Sequence, residues 1–513
     1  MTSPVIAICG TTGVGKSKLG IELALRLAQV QRHENPSHKW RGARIINADS
    51  MQVYTGMNVI TNKVPFEERM GVEHLLMDFK RPGEQYVVGQ WVQDAIEAIQ
   101  ETHSRHEIPI IVGGTSYWIQ HLLFPNRLSS GDSINVRPGE QRSIHPRSSI
   151  LKSRISQLPP HLLELLNSLP EQPSSAVSHP DDALLLHQLL QTLDEPVAAR
   201  WHWRDTRKVL RSLQIIKEHG RIPSEIISEQ ATTAHLPRYH TLCFWLYAEP
   251  SALNPRLDNR VDDMIRGGLV DEIRELYKIA RSSTAPQTYL GGGFESKEPV
   301  TDYTLGIYQC IGYKEFREFL TDPNTSQEAF TRAIEQMKHS TRKYAKRQVS
   351  WLRNKLLPAI QSVTAESQLM ASMYLLDATV LGDAWDLNVS QPAQAIMDAF
   401  LNSSELPDPA TLSPLAQAML VTVNKPVNPT AVLEARRKMV CSICTTDPSR
   451  PVMVEEGIEW EVHQKTRLHR RLSSKLNKGQ SRDAPGDRLE QTRETDEESG
   501  NTSFFLPSFV KDG

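Results

Sequence analysis

The stretch Val5-Ile6-Ala7-Ile8-Cys9-Gly10-Thr11-Thr12-Gly13-Val14-Gly15-Lys16-Ser17 decides the fold. Its first half is a short apolar, β-branched run and reads as a buried strand. Its second half, Gly10, Thr11, Thr12, Gly13, Val14, Gly15, Lys16 and Ser17, is a complete G-x-x-x-x-G-K-S phosphate-binding loop. The segment that follows, Leu19 to Ala28, is rich in helix formers and carries an apolar stripe. A strand, this loop and a helix in that order wrap a phosphate in backbone N–H groups at a helix N-terminus. Lys16 supplies a point charge and Ser17 a hydroxyl for Mg²⁺. The ligand is a di- or triphosphate, and the loop by itself does not say whether it is a nucleotide.

Outward from the loop, residues 1–124 keep alternating strand and helix signals. Ala43-Arg44-Ile45-Ile46-Asn47-Ala48 predicts a second strand, ending in Asp49-Ser50-Met51-Gln52-Val53-Tyr54. His74 to Phe79 is a third candidate, Gln90 to Ser104 a helix, and Pro109-Ile110-Ile111-Val112 a buried strand closed by Gly113-Gly114-Thr115. This is the pattern of a parallel P-loop-type α/β sheet flanked by helices. Ligands bind beyond the carboxyl ends of such strands, so the loop, Asp49 and Thr115 are expected in one cleft. There Asp49 has three readings: a ligand for Mg²⁺, a general base, or a cap for the following turn. The glycine pair reads as a tight turn or as a close backbone approach to a ligand. No Asp follows Ile110–Val112, which counts against a motor-type ATPase.

Length and composition set the frame. A chain of 513 residues predicts two or three domains. Apolar content of 39% and 32 prolines predict long irregular stretches. With a net charge of −2, total charge points to no polyanion partner. No apolar run is long enough to span a bilayer, and a strand beginning by residue 5 leaves no room for a signal peptide. Five cysteines suit a reducing compartment. Cys9, Cys243 and Cys310 read as small core residues.

Farther along, 125–150 is a polar loop and 150–220 is helical and Leu-rich. Thr241-Leu242-Cys243-Phe244-Trp245-Leu246-Tyr247 is a strand returning to the sheet, so the intervening helices form an inserted subdomain. Residues 256–280 and 327–355 are helical, 281–303 is a loop, and 360–430 reads as a few helices broken by prolines. The tail from 471 is charged and aperiodic, with disorder expected.

Two further constellations stand out. Thr341 to Lys355 carries Arg342, Lys343, Lys346, Arg347, Arg353 and Lys355 with no acidic residue, interleaved with Tyr344 and Trp351. It reads either as a solvated face or as a surface for a polyphosphate or nucleic acid. Cys441-x₂-Cys444-x₁₈-His463-x₅-His469 has the donors and spacing of a tetrahedral Zn²⁺ site, a small Cys₂His₂ finger. Lys465, Arg467, Arg470, Arg471, Lys475 and Lys478 surround its histidine end, as suits contact with nucleic acid.

These blocks together resemble the tRNA dimethylallyltransferases (tRNA isopentenyltransferases) of the eukaryotic type with a C-terminal zinc finger. The resemblance is carried by Gly10–Ser17, Asn47–Tyr54, Ile60-Thr61-Asn62-Lys63, Gly71-Val72-Glu73-His74-Leu75 and Ile111–Thr115. It continues through Asp205–Leu213, Arg256–Asp262, Gly312-Tyr313-Lys314-Glu315, Thr341–Trp351 and Trp460-Glu461-Val462-His463. It implies transfer of a dimethylallyl group from its diphosphate to the exocyclic amine of the adenosine 3′-adjacent to a tRNA anticodon. It implies catalytic roles for Asp49, Thr115 and Arg260, and a diphosphate clamp in which Arg256 joins the loop. It implies tRNA contacts at Ser50, Gln52, Arg342, Lys346, Arg347, Gln348, Lys465, Arg467 and Arg470. Mg²⁺ and structural Zn²⁺ are the implied ions, and the implied assembly is a monomer on one tRNA anticodon arm, away from membranes. The expected compartment is the cytoplasm, with mitochondrial or nuclear forms as further readings.

The expected organisation is a first core part at 1–125, an inserted tRNA-contacting subdomain at 126–200, core completion with the basic helix at 201–358, a helical linker at 359–430, the finger at 431–472 and a disordered tail at 473–513. Trp203 stands where the family more often has proline, and Lys208 where arginine is usual; this bears on local RNA contacts. Two other readings share parts of the pattern. A P-loop small-molecule kinase uses the loop, Asp49 and Mg²⁺ but leaves the basic helix and finger without a task. A non-catalytic zinc-finger RNA-binding protein leaves Lys16, Ser17 and Asp49 without one.

Overall fold

The computed structural model describes residues 3–30, 39–125, 148–171, 173, 176, 179–232, 236–282, 306–321, 326–366, 370–421 and 437–480. The chain divides into two compact units, Met1–Ala435 and Arg436–Gly513.

The first unit is built on a six-stranded sheet of β1 (Pro4–Gly10), β2 (Gly42–Asn47), β3 (His74–Leu75), β4 (Glu107–Val112), β5 (His240–Tyr247) and β6 (Ala371–Asp377). The strand order is β3-β2-β4-β1-β5-β6, and every pairing is parallel. Parallel strands are covered on both faces, which is why β1, β4 and β5 are apolar at nearly every position. Alternate residues feed two cores. Val5, Ala7 and Cys9 face one side, with Trp91, Ile99 and Trp118; Ile6 and Ile8 face the other, with Leu19 and Leu23. The strongly buried Phe244 and Trp245 of β5 serve one core each. Each such side chain contributes about 1.5–3 kcal/mol of burial.

The helices against this sheet are α1 (Lys16–Gln29), α2 (Val88–Ser104) and α3 (Ser116–Leu123) before the insertion. The insertion lies between β4 and β5 and contains α4 (Ser149–Ser156), α5 (Pro160–Asn167), α6 (Pro180–Leu193), α7 (Glu195–Ala198), α8 (Thr206–His219) and α9 (Pro223–Thr232). These have a core of their own, with Leu151, Leu162, Leu190, Leu213 and Ile216. After β5 come α10 (Pro250–Arg266), α11 (Leu269–Ser282), α12 (Arg317–Thr321) and the 25-residue α13 (Gln327–Trp351), which runs on through a π turn at Leu352–Leu356.

Three boundaries differ from the sequence reading. The insertion continues past residue 200, because the apolar face of α8 (Val209, Leu210, Leu213, Ile216) packs into the insertion's own core. The expected helical linker at 359–430 contains β6, a full edge strand whose residues 371–377 pair with 241–247. Residues 473–480, expected in the tail, extend the last helix, Arg467–Gln480. Of the loops expected at 125–150 and 281–303, residues 126–147 and 283–303 lie outside the described residues, as does the tail from 481. Cys9, Cys243 and Cys310 are buried, as small core residues are. No described helix is long and apolar enough to cross a membrane.

Candidate active site and metal centre

β1 ends at Gly10 and α1 begins at Lys16, so the phosphate loop is the turn between them. Gly13 and Gly15 have φ of +81° and +87°, values that side chains with a Cβ rarely adopt. The Lys16 ammonium donates to the Thr11 carbonyl at 2.6 Å. Burial lowers its pKa to about 8; the Arg260 charge pushes the same way, and the Asp49 charge opposes. Ser17 stands half-buried in the first turn of α1. The Thr11 hydroxyl is buried and has no hydrogen-bond partner among the described residues.

Asp49 follows β2. The Asn47 side chain fixes the turn, accepting from the Asp49 N–H at 3.0 Å and donating to the carbonyls of Asp49 and Leu76 at 3.1 and 3.0 Å. One carboxylate oxygen of Asp49 accepts from the Met51 N–H at 2.9 Å, so part of this side chain does cap its own turn. The other oxygen, Oδ2, faces Gly114: a Cβ there would lie 3.5 Å from it and 2.6 Å from the Gln348 Nε2. The close approach of backbone is therefore real at this glycine. Thr115 joins the same corner, where its hydroxyl accepts from the Ser50 N–H at 3.1 Å.

The basic helix closes the corner from above. Burial and the Asp49 charge push the Tyr344 phenol up, while hydrogen bonds to Gln348 and Thr115 oppose. Arg260 also feels Asp49, whose charge counters the downward push of burial. Asp49, Lys16, Arg260, Thr115 and Tyr344 thus form one electrostatic cluster at the carboxyl ends of β1, β2 and β4. The sequence reading named Tyr344 only as an aromatic interleaved in the basic helix and gave it no role at this corner. Its spacing of four from Gln348 and its aromatic character on a one-signed helix were the available signals.

Two residues expected at ligands make internal hydrogen bonds. Gln348, expected at tRNA, is 5% exposed; its amide accepts from the Thr12 N–H and donates to the Gly114 carbonyl, both at 2.9 Å. It ties the phosphate loop to the end of β4. Arg256, expected on the diphosphate, donates to the carbonyls of Gly13 and Ala378 at 3.2 Å and of Thr379 at 3.0 Å. In this arrangement it holds the loop rather than reaching into it. Arg342 is ion-paired with Asp258 of α10, and the Gln52 amide donates to the Thr61 and Asn62 carbonyls at 3.2 and 3.1 Å. Lys346 and Arg347 are exposed and Ser50 is half-buried.

The second unit carries the metal centre. β7 (Lys438–Val440) and β8 (Met453–Glu455) pair antiparallel and present the Cys441–Cys444 turn; helices Ile458–Gln464 and Arg467–Gln480 supply the histidines. The ligand atoms of Cys441, Cys444, His463 and His469 lie within 4.8 Å of one another. Both sulfurs are 3.5 Å from His469 Nδ1, which is 3.2 Å from His463 Nε2. Tetrahedral bonds of about 2.0–2.3 Å require edges of roughly 3.3–3.8 Å, so the cluster fits a metal ion. Lys465, Arg467 and Arg470 are exposed beside it.

A phosphate loop, a carboxylate and a threonine converging at the ends of adjacent parallel strands define a P-loop-type α/β enzyme core. The family model described as IPP transferase matches residues 52–355. The tRNA dimethylallyltransferase of Schizosaccharomyces pombe is 34% identical over 478 residues, covering 92% of this chain and 95% of that protein. That of Saccharomyces cerevisiae is 33% identical, covering 92% of each. A crystal structure of a eukaryotic dimethylallyltransferase acting on tRNA matches with a TM-score of 0.65 and 31% identity, covering 94% of this chain and 98% of that one. The chain belongs to the IPP transferase family.

Proposed function

We propose that this chain transfers a dimethylallyl group from dimethylallyl diphosphate to the N6 amine of the adenosine 3′-adjacent to a tRNA anticodon. The observation that carries the reading is the shared corner of Asp49, Thr115 and the phosphate loop, in a chain whose relatives are named for this reaction. The allylic carbon–oxygen bond breaks, and its electron pair leaves with the diphosphate. The loop N–H groups, Lys16 and Arg260 absorb that growing charge. The amine lone pair forms the new carbon–nitrogen bond, and Asp49 takes the proton the nitrogen sheds. Thr115, fixed by Ser50 and Tyr344, positions the amine and Asp49. The adenine leaves its stack to reach this corner, as bases do in other base-modifying enzymes.

Ser17 is the residue placed to hold Mg²⁺, which supplies further charge neutralisation on the diphosphate when bound. The donor set of two cysteines and two histidines suits structural Zn²⁺. Exposed Lys346 and Arg347, and the finger's Lys465, Arg467 and Arg470, are the proposed contacts to the phosphates of the anticodon arm; Ser50 borders the adenine site. Arg342 and Gln52 act there through the segments they fix. We read the active species as a monomer on one tRNA. Free buried cysteines suit a reducing compartment, and we read the cytoplasm as its place.

The test is incubation of the purified protein with unmodified tRNA, labelled dimethylallyl diphosphate and Mg²⁺. Label should enter tRNA and be recovered, after nuclease digestion, as N6-isopentenyladenosine. Absence of label, together with tight ATP binding and transfer of its terminal phosphate to a small molecule, would instead make the chain a kinase.

A further inference from the structure

Three side chains grip the phosphate loop from outside. Gln348 takes the Thr12 N–H, Arg256 takes the Gly13 carbonyl, and Trp385 lies against Gly15. The third comes from the segment after β6, beyond the residues the family model matches. A Cβ on Gly15 would stand 2.5 Å from Trp385 Cη2 and 2.7 Å from Cζ3, so the indole edge is in tight contact with the loop backbone. The indole is itself immobilised. It is 3% exposed, and its N–H donates to both carboxylate oxygens of Glu22 on α1, at 3.1 and 3.0 Å. The Lys18 ammonium sits 4.6 Å from its ring centroid. The chain leading to it is pinned by Arg256 on the Ala378 and Thr379 carbonyls.

Gly15 directly precedes Lys16 and Ser17. A glycine there is free to move unless something packs on it, and any movement displaces the ammonium, the hydroxyl and the N–H groups together. We propose that Trp385 is a positioning residue for the diphosphate site, holding the Gly15–Lys16 peptide in the geometry that receives the leaving group. This rests on the function proposed above. It makes the segment carrying β6 and Trp385 part of the catalytic apparatus rather than a linker to the finger.

The experiment compares the full-length wild type with Trp385→Ala and Trp385→Phe, varying both substrates and using inorganic diphosphate as competitor. Trp385→Ala should raise KM for dimethylallyl diphosphate and Ki for inorganic diphosphate by about tenfold, with KM for tRNA within about twofold of wild type. Trp385→Phe, which keeps a ring in the pocket but lacks the Cη2–Cζ3 edge and the N–H to Glu22, should recover only part of that loss. Trp385→Leu replaces the alanine variant if that one does not fold. An unchanged Ki for inorganic diphosphate, or an equal loss for both substrates, overturns the proposal. Calorimetric binding of inorganic diphosphate reads the brace without turnover, so a wild type that failed to prenylate tRNA would sink the proposed function and still leave this comparison decisive.

Discussion

Gln348 and Gly114 are joined by a 2.9 Å hydrogen bond from side-chain amide to backbone carbonyl, across 234 positions of sequence. The same amide reaches the Thr12 N–H, so one polar side chain ties the basic helix to two of the three loops that make the corner. Removing it leaves a buried donor and acceptor unpaired. Gln348→Ala is expected to lower kcat/KM for prenyl transfer about ten- to hundredfold while tRNA affinity stays within about twofold. Steady-state kinetics beside filter binding checks this; lost tRNA affinity at normal turnover would return Gln348 to the RNA surface.

Asp49 is the base in the proposed reaction. Asp49→Ala is expected to reduce single-turnover transfer by about a hundredfold or more, with tRNA still retained in a gel-shift assay. Near-normal turnover in that variant would remove Asp49 from the role of base.

The Lys16 ammonium, at about 8 rather than its ordinary 10.5, gives the phosphate loop a pH signature. Bound diphosphate raises that pKa, so binding takes up a proton above pH 8 and affinity falls as pH rises through 8. Between pH 7 and 9 the Kd for dimethylallyl diphosphate is expected to weaken about tenfold, measured by isothermal titration. Lys16→Arg, which stays charged, is expected to flatten the profile. Stability runs the other way. The folded chain holds this proton less tightly than the unfolded chain does, so the group's contribution to stability grows as pH rises from about 8 toward 10.5.

The finger is a compact unit separate from the catalytic one. Cys441→Ala is expected to lose one equivalent of zinc and to weaken tRNA binding by about tenfold, with transfer reduced rather than abolished. Metal analysis and tRNA titration of the same preparation check both halves, and unchanged tRNA affinity after zinc loss would give the finger another task.

The sheet's centre was legible in the sequence because β1, β4 and β5 are unbroken apolar runs, and the phosphate loop because its glycines and lysine have fixed spacing. The metal cluster was legible for the same reason. Ala371–Asp377 was not, since a short apolar run reads equally as strand or helix. Trp385 gave no local sign, because its partners Gly15 and Glu22 lie more than 360 residues away. The internal hydrogen bonds of Gln348 and Arg256 were not legible for a related reason. A glutamine on a cationic helix reads as facing a polyanion and the α10 arginine as facing the diphosphate, and only tertiary contacts show the backbone groups they hold.

The insertion between β4 and β5 bears on how the chain is made. Both strands are neighbours of β1: Ile6 pairs with Ile110, but Val5 pairs with Thr241. During synthesis from the N-terminus, the strand bearing the phosphate loop keeps one unpaired edge until residue 247 has emerged, and Trp385 follows later still. Pairings this distant in sequence close slowly and leave apolar edges open meanwhile. The helices of the insertion, which bury their leucines among themselves, can settle during that interval. The phosphate loop is thus made well before the strand and the indole that complete its setting.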